Sequence, residues 1–98
     1  MADTQTDPGY VDNKEKVKNR LRRIAGQIGG IERMVEEERY CIDVLTQISA
    51  VQAALDKVSL ALLDEHTRHC VIGAETPAAR EEKTDEMMAA VGRLLKSR

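Results

Sequence analysis

From Val17 onward, apolar residues recur in alternating four- and three-residue steps: Val17, Leu21, Ile24, Ile28, Ile31 and Val35. That spacing keeps one face of a helix apolar and predicts a first helix beginning at Asp12, where Asp12 and Glu15 have the spacing of a capping box. Gly26, Gly29 and Gly30 interrupt it, and since each weakens a helix by about 1 kcal/mol relative to Ala, close approach of another backbone is expected there. The apolar phase slips between Val35 and Val44, across Glu36, Glu37, Glu38, Arg39 and Tyr40. Acids at a helix C-terminus oppose its dipole, so two antiparallel helices are expected in place of one rod of roughly 90 Å.

A second run, Val44, Ile48, Val51, Leu55, Val58 and Leu62, lies inside a stretch from Cys41 to Cys70 that holds no Gly or Pro. It predicts a long central helix. Ala50, Ala53, Ala54 and Ala61 lie roughly opposite Leu55, a small-residue face suited to packing on the glycines of the first helix, so burial on two sides is expected. Gly73 marks the stop, and Thr76 followed by Pro77 marks the next start, with Thr as N-cap and Pro at the first helical position. Met87, Met88, Val91, Leu94 and Leu95 give a third helix its apolar face. The expected fold class is all-α, a three-helix protomer with a long central helix. Residues 1–11, with Pro8 and Gly9 and no periodicity, read as a flexible N-terminal arm, and 12–98 as a single helical domain.

The chain has 98 residues, two Tyr, no Phe and no Trp. Three helices from so short a chain bury a modest core, so oligomerisation is the natural remedy, and there are few rings on which exposed bases can stack. Residues 1–12 are polar and acidic, unlike a signal peptide, and no apolar run approaches the ~20 residues of a membrane span, so a cytoplasmic protein is expected. In that compartment Cys41 and Cys70 are expected as thiols, metal ligands or redox sensors. The net charge of −2 hides an uneven distribution: six basic residues against one acid from Lys14 to Arg23, but two against five from Glu32 to Asp43.

His66 and Cys70, at i and i+4, share a helix face with Cys41. One chain cannot bring all three to one ion, because 25 residues of helix span roughly 37 Å and ligands sit about 2 Å from a metal. Two antiparallel copies of the helix would set Cys41 of one beside His66 and Cys70 of the other, twice, by two-fold symmetry. Two thiolates and an imidazole favour three-coordinate Cu(I), with Zn(II) an alternative if water or Glu65 were a fourth ligand. The blander account is a core stripe with two small thiols. Lys14, Lys18 and Arg22 flank one side of the first apolar stripe and Lys16, Arg20 and Arg23 the other, either as a solvated face or as phosphate contacts repeated by a symmetric assembly. No Gly-rich phosphate loop, nucleophile elbow or carboxylate pair in a plausible cleft suggests an enzyme.

The run NRLRRIAGQIGGIERMVEEERYCIDVLTQISAVQAALDKV, followed by DEHTRHC, resembles the CsoR family of copper-sensing transcriptional repressors over nearly the whole chain beyond the arm. The resemblance implies an antiparallel helical dimer assembling into a dimer of dimers, a homotetramer without a helix-turn-helix, which binds double-stranded operator DNA when metal-free and releases it on binding Cu(I) between subunits. It implies Cys41, His66 and Cys70 as ligands, Tyr40 and Glu86 as their outer partners, and Arg20 and Lys57 as DNA-binding positions, the last often Arg in the family. The nickel- and cobalt-sensing branch has an N-terminal His that is absent here, the persulfide-sensing branch lacks a His at the position of His66, and the formaldehyde-sensing branch has Pro where this chain has Ala2. Two other readings stand beside it: a thiol redox or persulfide sensor using Cys41 and Cys70, and a copper-buffering helical protein without a DNA role.

Overall fold

The computed structural model describes residues 8–97. A 3-10 turn at Val11–Asn13 leads into α1 (Lys14–Glu36), then α2 (Cys41–His66), which continues as a π-helical segment (Thr67–Ile72), and α3 (Pro77–Lys96). No strand occurs among the described residues, and the fold is all-α with three helices. Residues 1–7 of the expected arm lie outside the described residues. The chain divides into two compact units, one of 13–60 and one from Ala61 onward together with the segment up to Asp12.

The ends of the helices explain where the chain turns. α1 starts one residue later than the proposed capping box, with Asn13 at the N-cap position and Glu15 paired instead with Lys18 at 3.9 Å. At its other end the Glu38 N–H donates to the Val35 carbonyl (3.0 Å) and the Arg39 N–H to the Met34 carbonyl (2.9 Å). With Glu38 at φ 58°, this is a Schellman motif that satisfies two of the carbonyls left over at a helix end. Tyr40 then starts α2, its carbonyl accepting from the N–H groups of Asp43 (3.0 Å) and Val44 (3.2 Å). The break between α1 and α2 is therefore real, although no Gly or Pro announces it.

In the unit of 13–60, Val17 and Ile24 of α1 and Val51 and Val58 of α2 are buried. The rest of both stripes is not: Ile28 is 52% exposed, Val35 59% and Leu55 42%, so one chain leaves part of each apolar face uncovered. The expected packing of alanines on glycines is corrected. A Cβ at Gly26, Gly29 or Gly30 would meet nothing within 4 Å, and Ala50, Ala53 and Ala54 instead line a groove with Ile24, Gln27 and the long side chains of Arg20 and Arg23.

In the other unit, α3 packs on the π-helical segment. Thr67 Oγ1 lies 2.9 Å from the Leu63 carbonyl and 3.2 Å from Met87 Sδ, so its one proton is shared between two acceptors. Gly73 ends the helix as expected, with φ −80°. Its small size is needed: a Cβ would sit 2.8 Å from the His69 carbonyl oxygen. Thr76 caps α3 as its sequence indicates, accepting from the Ala79 N–H at 3.0 Å with Pro77 following.

Glu38 occupies a conformation that costs a residue with a Cβ about 1–2 kcal/mol, part of which Gly regains against its own greater chain entropy. Glu38→Gly is therefore expected to stabilise the protein by about 1 kcal/mol. Urea denaturation of both proteins at one concentration checks this; an equal or lower midpoint for the variant would rule the strained turn out.

Candidate metal centre and nucleic-acid interface

His66 ends α2 and Cys70 lies one turn on, inside the π-helical segment. Such i→i+5 turns are rare and concentrate at functional sites, and this one replaces the regular α-helix expected to run through Cys70. Cys70 is buried, at 7% exposure, and Cys41 is exposed at the first position of α2. Neither is in a disulfide.

The His66 ring is held by α3, with Nε2 lying 3.1 Å from the Lys83 carbonyl oxygen. A carbonyl can only accept, so Nε2 carries the proton, and in a neutral imidazole the lone pair is then on Nδ1. This is the arrangement a metal-ligating histidine needs, one nitrogen fixed by a backbone acceptor and the other open. The acceptor is not the Glu86 carboxylate. Glu86 Oε1 lies 3.5 Å from Lys83 Nζ on the same helix. Glu65, a candidate fourth ligand, points to His69 Nε2 at 3.0 Å. The Tyr40 ring is 67% exposed beside Cys41. Among the described residues, no group of three or more His, Cys, Asp or Glu side chains within one chain is placed to hold a metal ion.

The basic residues separate by their surroundings. Arg22 Nη1 donates to Asn19 Oδ1 at 2.9 Å and Lys18 lies near Glu15, so this flank is occupied along its own helix. Lys14 and Lys16 are exposed on the first turn of α1. Arg20 and Arg23 share the groove of about 510 Å³ with Lys57 of α2, and no carboxylate lines it. Three cations thus converge without a neutralising acid, a surface suited to phosphate.

The sequence pattern of the metal-sensitive transcriptional repressors matches residues 13–93. The chain belongs to that family, among the CsoR-type repressors. It is 53% identical over 91 residues to the copper-sensing transcriptional repressor RicR of Mycobacterium tuberculosis, covering 91% of this chain and 95% of that one. It is 46% identical over 84 residues to the copper-sensing repressor CsoR of Bacillus subtilis, covering 86% and 83%. The crystal structure of the copper-sensing repressor CsoR with Cu(I) from Geobacillus thermodenitrificans superposes with a TM-score of 0.80 at 43% identity, over 86% of this chain and 88% of that one.

The pattern of residues pointed to His66, Cys70 and Cys41 because side chains carry their chemistry in the sequence. It did not point to Lys83, whose contribution is a carbonyl that any residue possesses. The described geometry makes the tautomer of His66 a measurable quantity. Long-range ¹H–¹⁵N correlation spectra of the metal-free protein are expected to show His66 protonated at Nε2; protonation at Nδ1 would remove the Lys83 carbonyl as its acceptor.

Proposed function

We propose that the protein is a Cu(I)-responsive transcriptional repressor, which binds operator DNA when metal-free and releases it when Cu(I) occupies sites shared between subunits. The observation that carries this reading is the His66 ring, fixed through Nε2 with Nδ1 open one turn from the Cys70 thiol, in a chain so similar to copper-sensing repressors. The donor set is two thiols and an imidazole, soft enough for Cu(I). His66 and Cys70 serve from one chain and the partner's Cys41 completes the set, which makes the antiparallel dimer a requirement and a dimer of dimers the working assembly. The uncovered parts of the α1 and α2 stripes supply apolar surface for that assembly. Bound Cu(I) would supply bonds joining two chains at each site. The protein acts as a cytoplasmic regulator and not as an enzyme.

DNA contact is assigned first to Arg20, Arg23 and Lys57, which share one groove, and then to Lys14, Lys16, Lys18 and Arg22 along α1. With no Phe or Trp and two Tyr, affinity comes from phosphate contacts and falls steeply with salt. Tyr40 and Glu86 are assigned as outer partners of the site. Tyr40 is carried there by its position next to Cys41, and Glu86 through its pair with Lys83, whose carbonyl holds His66.

Two measurements test the reading. Arg20→Ala is expected to weaken operator binding and to lower the slope of log K against log salt by about 1 for each protomer touching phosphate, while Cu(I) binding is unchanged. Unaltered DNA affinity would return Arg20 to a solvated surface. For the metal, Cu(I) competition against a chelator is paired with DNA anisotropy. His66→Ala is expected to keep appreciable Cu(I) binding through two thiols and release DNA poorly, whereas Cys41→Ala loses both. Full release from His66→Ala would show that the imidazole only ligates.

A further inference from the structure

Gly9 is buried although Pro8 and Tyr10 on either side of it are exposed. What covers it is the metal-site segment of its own chain. A Cβ on Gly9 would stand 3.1 Å from Cys70 Sγ, 3.6 Å from the His66 Cα and 3.7 Å from the Glu65 carbonyl oxygen. The backbone at Gly9 therefore lies across the turn that carries both ligands, and the segment up to Asp12 clusters with the residues from Ala61 onward. Gly9 has φ +93°, a conformation that side-chain-bearing residues rarely adopt. Conformation thus favours glycine here, and the space beside it is tight.

We propose that Pro8–Gly9–Tyr10 is a strap closed over the Cys70 thiol, and that reaction at Cys70 requires the strap to lift. A thiol ligand bonds zinc at about 2.3 Å and an electrophile must reach the same sulfur, so a backbone so close that a Cβ built on Gly9 would stand 3.1 Å from Sγ denies that side of the sulfur to either. Cys70 is only 7% exposed, in keeping with such cover. Cys41, exposed on α2 in the single chain, is followed alongside it. As it bears on metal uptake, the inference rests on the copper reading above; as it bears on the thiol, it does not.

The test is alkylation of the metal-free, reduced full-length chain by N-ethylmaleimide, followed at each cysteine by peptide mass spectrometry. Cys41 is expected to react first. Gly9→Val places a branched Cβ against Sγ in an unfavourable conformation, and is expected to accelerate Cys70 about tenfold with Cys41 and the helical circular dichroism unchanged. An unchanged Cys70 rate in a folded variant overturns the strap. A reciprocal measurement needs no substitution: after Cys70 is modified in the unsubstituted chain, amide hydrogen exchange at Gly9–Val11 should accelerate. Unchanged exchange would likewise overturn the proposal. Failure of Cu(I) to release DNA would instead defeat the copper reading, and leaves these thiol results to be judged on their own.

Discussion

Helix ends leave backbone N–H and C=O groups without helical partners, and this constraint fixes the position of nearly every functional side chain in the protein. The α1 carbonyls of Met34 and Val35 are met by the turn through Glu38, and the Tyr40 carbonyl opens the next ladder. Cys41 is thereby the first residue of α2, with its thiol at a helix start. At the far end the same helix does not stop at once. It widens into the π-helical turns that carry Cys70, and ends at Gly73, where the His69 carbonyl leaves no room for a Cβ. Cys41 thus stands where the chain enters the long helix, and Cys70 where that helix departs from regular α geometry.

The second organising interaction is between the π-helical segment and α3. It requires Thr76 to start α3 cleanly, since the residues that meet the segment, Lys83 and Met87, lie one turn apart on one face of it. The Lys83 carbonyl has two lone pairs, so it can take the His66 N–H in addition to its own helical bond. Its value is geometric. The hydrogen bond is worth about 1 kcal/mol net, little as a stabilising force, but it selects which ring nitrogen is left with a lone pair. The exposed ion pairs nearby, such as Arg68 with Asp64 at 3.0 Å, contribute little and orient no ligand.

Most of the fold was legible because its signals are local. The Thr76-Pro77 start and the two apolar stripes depend on residues a few positions apart, and the structure places helices where they indicate. Cys41, His66 and Cys70 stood out for the same reason, as rare residue types on one helix face, and they are proposed above as the metal donors. Other features were not. Glu38 holds a position that glycine usually fills, so composition gave no sign of the turn. The Lys83 carbonyl has no sequence signature at all. Gly9 follows a proline and so looks like an ordinary loop glycine, whereas its burial depends on a segment more than fifty residues away. The glycines of α1 misled in the opposite sense, since a close approach was expected and open space is found.

Charge shows how the same reasoning decides between two faces that composition cannot separate. Both flanks of α1 carry three cations, and the overall balance of the chain is −2. Neighbours distinguish them: Lys18 and Arg22 lie beside Glu15 and Asn19 on α1, whereas Arg20 and Arg23 meet Lys57 across a groove lined with alanine and glutamine. Gathering like charges is unfavourable in isolation, and no carboxylate lines this groove, so an approaching phosphate would complement it. The small alanines matter for this, because they leave the groove open where larger residues on α2 would fill it. A groove lined by three cations and by no carboxylate is complementary to a polyanion, which supports the DNA contact proposed for it.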